Sequence, residues 1–364
     1  MRFGTPWLLW LLPLAGLAIH FLYRLWGGSS EKGNNLLIDA IHEPDTGVPV
    51  RMAPLVLLTT LITHLFGGSA GREGTAVQMG GSMAAYIGRK MGIGKLSFPL
   101  VIRLGIAAGF GAVFGTPLAG SIFAIEVPAR GKITAAAFLP CLIAAALGDK
   151  VCSLWGIAHT QYHIGHLNAL IDVRLLGSAA IAGVAFGFAG WAFIFFSHQV
   201  KSWTVKLIRP LWLIPVVGGV LIIIMAKLIG SGDYLGLGVT SASPGGVSIV
   251  SAFTTGGVLP LSWLLKMVFT IVTLSFGFKG GEVTPLFFIG AALGNALSIH
   301  TGMPTDLAAG LGFIALFGAA ANTPLACVAM GIELFGVQFA PYYAVACYVA
   351  FIVSGRKSIY KAQR

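Results

Sequence analysis

Apolar runs fill most of this chain, yet few of them are both long and unbroken, and this restricts the fold more than any single motif. They lie at roughly 6–26, 52–66, 98–127, 133–156, 175–197, 211–230, 257–276, 283–299, 307–320, 323–337 and 339–354. A helix needs about 20 apolar residues to cross the hydrocarbon of a bilayer, and several of these runs are shorter. The run 98–127 is long enough, but Gly105, Gly109, Gly111, Gly115 and Pro117 interrupt it. Glycine supplies 50 of the 364 residues, mostly within apolar runs. That points to closely packed, interrupted helices rather than an up-and-down bundle. No segment alternates with period two, as the strands of a membrane barrel do. Only 10% of residues are charged, against about 25% in soluble domains. The expected class is an all-α polytopic membrane protein.

The formal net charge of +11 follows the same logic. Basic residues gather at the ends of apolar runs: Arg89, Lys90 and Lys95; Lys201, Lys206 and Arg209; Arg356, Lys357, Lys361 and Arg364. Cytoplasmic loops are enriched in Lys and Arg, so these clusters and the C-terminus are expected inside the cell. Nucleic acid is not an expected partner. Cys141, Cys152, Cys327 and Cys347 sit in apolar runs without a CxxC pair, so they read as packing residues. His159, His163 and His166 in HTQYHIGH have no carboxylate or cysteine to complete a ligand set. No metal or cofactor is expected. The apolar N-terminus has no convincing cleavage site and reads as a retained membrane helix. No soluble regulatory domain is expected after residue 355. HExxH, GxSxG and paired-aspartate signatures are missing, so an enzyme is not expected.

The chain repeats itself. GTPLAGSIFAIEV (115–127) matches NTPLACVAMGIEL (322–334), with TPLA in both and IE at the same offset. Upstream, Glu73-Gly-Thr75 precedes Gly81, and Glu282-Val-Thr284 precedes Gly290 at the same distance. Thr75 and Thr116 are 41 residues apart, Thr284 and Thr323 39 apart. Two blocks in one order at nearly one separation predict two related halves, 1–170 and 171–364. Related halves in a helical membrane protein are a transporter signature, usually with the substrate site where broken helices meet near the midplane.

The glycine-rich breaks can act as anion sites. Gly71 and Gly74 enter a helix near Thr75, and Gly280 and Gly281 enter one near Val283 and Thr284. The first amides of a helix lack internal acceptors and carry the positive end of its dipole, which favours an anion. GNNLL (33–37), with Asn34, is a third such entry. Close helix packing is the plainer explanation for any single break. Asn34, Thr75 and Thr284 also have a plainer reading as caps or back-bonded side chains. Glu126 and Glu333 end equivalent helices and read as braces. Glu73 and Glu282 instead stand at the entries, where a carboxylate is itself an anion. Burial opposes ionisation and helix amides favour it, so such a glutamate can exchange a proton as an anion moves. Lys279 lies three residues before Glu282 and is a candidate partner for it.

GSAGREGT, GTPLAGSIFAIE and NTPLACVAMGIE together resemble the CLC chloride channels and anion/proton antiporters over nearly the whole chain. The resemblance implies the CLC fold, two inverted repeats of tilted, partly non-spanning helices, assembled as a homodimer with one anion pathway per subunit. It makes Glu73 the external gating glutamate and Tyr360, in SGRKSIYKAQR, the tyrosine that closes the central site; an interfacial aromatic is the plainer reading of Tyr360. GNNLL, GREGT and GGEVTP depart from the chloride-transporting pattern and are similar to the fluoride-transporting branch, CLC-F. That branch implies Asn34 as an anion-path residue and Glu282 as an additional pathway carboxylate. By the same resemblance, His159-Thr160-Gln161 matches the position of the internal glutamate of proton-coupled chloride members, without a carboxylate. Gly71, Gly74, Thr75, Val283 and Thr284 are the remaining anion-binding candidates. The expected function is fluoride/proton antiport in a bacterial cytoplasmic membrane, with a passive anion channel or chloride/proton antiporter as the alternatives.

Overall fold

The computed structural model describes residues 5–129, 135–165, 172–241 and 243–364. His166 lies outside the described residues, as does the expected boundary between the halves. Fourteen α-helices carry the described chain. They are α1 Leu12–Trp26, α2 Asn34–His42, α3 Met52–Leu65, α4 Glu73–Lys90, α5 Phe98–Phe114, α6 Pro117–Glu126 and α7 Phe138–Leu154. The second group is α8 Val173–Leu207, α9 Leu213–Ile229, α10 Ser262–Ser275, α11 Val283–Thr301, α12 Thr305–Ala321, α13 Pro324–Phe335 and α14 Ala340–Ser354. Extended pairing among the described residues is limited to an isolated antiparallel bridge between Gly71 and Gly281.

Among the described residues, five helical segments are long and apolar enough to cross a membrane: Pro6–Trp26, Ala135–Leu154, Val173–Leu207, Val283–Thr301 and Val337–Ser354. The others are shorter, and their ends have local causes. The run 98–127 divides because Gly115 adopts a left-handed conformation at φ 69° and closes α5. Pro117 then opens α6, with its fixed φ suited to a first turn. Asn322, left-handed at φ 55°, ends α12 in the same manner, and Pro324 opens α13. Helix α12 is buried along almost its whole length. Leu14, Leu25, Ile181, Leu228 and Ile352 stand exposed on outer helices, as a lipid-facing surface requires. Two helix pairs cross with backbones nearly touching. A Cβ on Gly80 of α4 would lie 2.1 Å from the Gly105 carbonyl of α5, and one on Gly290 of α11 would lie 2.0 Å from the Gly312 carbonyl of α12.

Glu126 and Glu333 brace the fold reciprocally. Leu118 and Ala119, in the first turn of α6, each donate a backbone N–H to Glu333, both at 2.8 Å. Leu325 and Ala326, in the first turn of α13, donate to Glu126 at 3.2 and 2.8 Å. Each short helix therefore carries in its last turn the carboxylate that caps the other. The residues ahead of these helices, Thr116 and Thr323, would ordinarily cap with their hydroxyls; here both hydroxyls are buried without a partner. A carboxylate accepting two amides at a positive helix end is a stronger acceptor than a hydroxyl.

Replacing Glu126 with alanine leaves two amides of α13 buried and unpaired. The expected cost is about 2–4 kcal/mol, read as a lowered thermal midpoint of the detergent-solubilised protein. E333A should do the same to α6. Midpoints equal to that of the unaltered protein would remove the brace.

Candidate functional site

The tips of α2, α4 and α11 meet. Gly71 donates its N–H to the Gly281 carbonyl at 2.6 Å, and Gly281 donates back to Gly71 at 2.7 Å. A Cβ added to Gly74 would lie 3.1 Å from the Gly281 Cα and 3.4 Å from Asn34 Nδ2. Only glycine lets three helix starts approach this closely. Glu73, the first residue of α4, is 4% exposed, and its Oε2 accepts the Thr284 N–H at 3.3 Å. A carboxylate from one helix thus rests on an N-terminal amide of another, a place that suits an anion.

The candidate residues divide by what their atoms already bind. Asn34 is the first residue of α2, with Gly33 at the cap position, so its side chain does not cap. Its Oδ1 and the Thr284 Oγ1 are buried without hydrogen-bond partners. Val283 and Gly74 lie in first turns, where amides have no intrahelical acceptor. Gly71 differs from expectation: its N–H is committed to Gly281, so it joins the two tips instead of facing an anion. Thr75 differs as well, because its hydroxyl pairs with that of Thr60 at 2.7 Å.

Glu73 and Glu282 open into separate cavities with no lining residue in common. Glu73 and Thr284 line one of about 60 Å³, together with Tyr162 and Phe287. Glu282 lines one of about 240 Å³, which also holds Asn34, Gln78 and Tyr360. A pocket of about 10 Å³ lies between Asn34, Phe123, Val127 and Tyr360. Tyr360 is 5% exposed, so it is not an interfacial aromatic. The C-terminal tail holds it there. The Ile359 N–H donates to the Ala320 carbonyl at 3.0 Å, the Tyr360 N–H to Ser358 Oγ at 3.1 Å, and the Ala362 N–H to Asn35 Oδ1 at 3.0 Å.

One expectation is corrected. Lys279 forms no ion pair with Glu282; its ammonium sits 4.1 Å from the centroid of the Tyr23 ring, where the π face attracts a cation. His159 and Thr160 line the Glu73 cavity. The segment after α7 turns back so that His159 packs on Gly115, where a Cβ would lie 2.5 Å from the ring. His159 Nε2 also lies 3.5 Å from Asp149 Oδ1.

Gln78, Asn35 and Ser358 escaped the sequence reading. Gln78 had a legible signal, since it follows Gly74 by four residues and so shares its helix face. Asn35 and Ser358 had none, because their partners are far away in sequence.

Residues 15–355 match the family described as voltage gated chloride channel. The chain belongs to this family, the CLC proteins. It is 46% identical to a protein of Pseudomonas syringae pv. tomato named chloride/fluoride channel protein, over 99% of this chain and 79% of that one. Among solved structures it resembles a CLC-type fluoride/proton antiporter, with 35% identity and a TM-score of 0.92, covering 99% of this chain and 89% of the other. A slow cyanobacterial Cl−/H+ antiporter superposes with a TM-score of 0.77 at 20% identity, covering 98% and 86% of the two chains; that likeness concerns the fold alone. The protein is accordingly a polytopic membrane protein of CLC fold.

The contact between tips is sensitive to a single methyl group. A Cβ on Gly281 would fall 2.7 Å from the Gly74 nitrogen, and backbone cannot yield cheaply. G281A should lower stability by about 1–3 kcal/mol in a detergent melting experiment. G94A, where a Cβ meets nothing within 4 Å, should leave the midpoint unchanged. Equal midpoints for the two variants would mean that the tips do not touch.

Proposed function

We propose that this CLC protein is a fluoride/proton antiporter that exports fluoride from the cytoplasm, driven by the inward proton gradient. One observation carries the reading: the Glu73 carboxylate lies on the Thr284 amide where three helix starts meet. Ionised, Glu73 occupies the position an anion would take. Protonated, it is neutral and gives up the amides, so its proton and the anion exchange places. The printed names of the 46% relative and of the 35% structural neighbour support fluoride as the anion.

Fluoride is small, strongly hydrated and the best hydrogen-bond acceptor among the halides. Its water shell has to be replaced by strong donors. The Asn34 amide, the Thr284 hydroxyl, the Tyr360 phenol and the first-turn amides of Gly74, Val283 and Thr284 are such donors. Asn34 and Tyr360 share one pocket, which favours a path from the Glu282 cavity past them toward Glu73. Glu282 is the second proton-linked carboxylate. Lys201 and Lys361 line its cavity, and the enrichment of cytoplasmic loops in lysine supports a cytoplasmic position for that side and the C-terminus. The membrane is the bacterial cytoplasmic membrane. The halves 1–170 and 171–364 form inverted repeats, and two copies form a homodimer with one pathway each.

A passive channel is the second reading, favoured by the printed name of the 46% relative. Proteoliposomes loaded with fluoride and followed with fluoride and pH electrodes separate the two. Antiport requires proton uptake during fluoride efflux; a channel gives efflux with no proton movement beyond leak. E73Q should abolish the coupled exchange. A variant that kept the coupled rate would remove Glu73 from its role.

A further inference from the structure

The Glu282 cavity is basic, and its cations come from separate parts of the chain. Lys32 precedes α2, Lys201 lies on α8, Lys279 precedes α11, and Lys361 follows Tyr360. The carboxylates that share the lining are Glu31 and Glu282. Lys32 also pairs with Asp39 at 3.2 Å, and Lys279 is held over the Tyr23 ring. Ser30, 1% exposed, lines the same cavity, and its buried hydroxyl has no partner. Four lysines against two lining carboxylates leave the cavity lining net positive, and the Ser30 hydroxyl adds a free donor.

Size sets a second condition. The cavity has about 240 Å³, whereas the pocket beyond it, between Asn34 and Tyr360, has about 10 Å³. About 10–15 Å³ is the least that admits one water. The smaller pocket has no room for a tetrahedral oxyanion. A phosphate group carries a charge of about −1.5 to −2 near neutral pH, so lysines hold it more strongly than a halide.

We infer that this cavity binds a phosphate-class oxyanion, inorganic phosphate or a phosphomonoester, which plugs the path at the Tyr360 constriction. Phosphate seated in the cavity then obstructs fluoride's approach to the constriction, and export runs at full rate only where the cavity is free of it. The transport consequence rests on the antiport reading above; the binding site does not.

Calorimetric titration of inorganic phosphate into the detergent-solubilised full chain, with gluconate matching the ionic strength, reads the site without any ion gradient. Saturable binding is expected, weakened at least tenfold in the K201M/K361M double variant and several-fold in K279M. Both Lys201 and Lys361 are exposed, so these substitutions leave the packed core intact. In proteoliposomes, fluoride efflux should fall over the same phosphate concentration range and recover in the double variant. A short-chain phosphatidic acid titrated in parallel distinguishes a lipid headgroup from free phosphate. The inference is overturned by lack of saturable phosphate binding, by unweakened binding in the double variant, by binding of the lipid alone, or by unchanged efflux with the site filled. An inactive antiporter that still binds phosphate through these lysines would overturn the transport reading and leave the site in place.

Discussion

A helix that begins inside a membrane protein presents backbone N–H groups that neither water nor its own turns can satisfy, and each must find an acceptor. This requirement organises the centre of the molecule. At α6 and α13 it is met permanently, because each helix receives the carboxylate at the other's end. At α11 it is met by Glu73, one residue on a tip that faces a cavity. The two arrangements use the same chemistry. They differ in geometry: a carboxylate accepting two amides within a helix pair, against one accepting a single amide at the edge of a cavity. The first acts as a fastener, and the second is held by fewer bonds.

Glycine makes the approach possible. Gly71, Gly74 and Gly281 let the tips of α4 and α11 come into backbone contact, with the Asn34 side chain against Gly74. The crossings of α4 with α5 and of α11 with α12 depend on glycine pairs in the same way. In lipid, where tails are as apolar as the helix surfaces, close van der Waals contact replaces the hydrophobic effect as the force between helices. Small residues are therefore concentrated where the site is built.

Polarity is distributed with similar economy. The Glu73 cavity is small and partly aromatic, while the Glu282 cavity is larger and basic. Tyr360 and Asn34 stand between the larger cavity and the tips, held by a tail whose backbone bonds reach Ala320 and Asn35. The brace adjoins this region, because α6 carries Phe123 and is followed by Val127, and both line the pocket with Tyr360. The fastened helices thus form one wall of the constriction.

The sequence alone determined the membrane class, the helix breaks around Gly115 and Pro117, and the two glutamate-bearing entries. All of these follow from neighbours within one or two turns, where hydropathy and φ preference act directly. It also identified the repeated TPLA–IE blocks and read their glutamates correctly as braces. Tertiary structure decided which groups were already engaged. Gly71 spends its amide on Gly281, Thr75 spends its hydroxyl on Thr60, Lys279 turns to Tyr23, and His159 joins the Glu73 cavity. A donor's freedom depends on partners that folding brings from elsewhere in the chain, often more than two hundred residues away, and residue spacing carries no record of those partners.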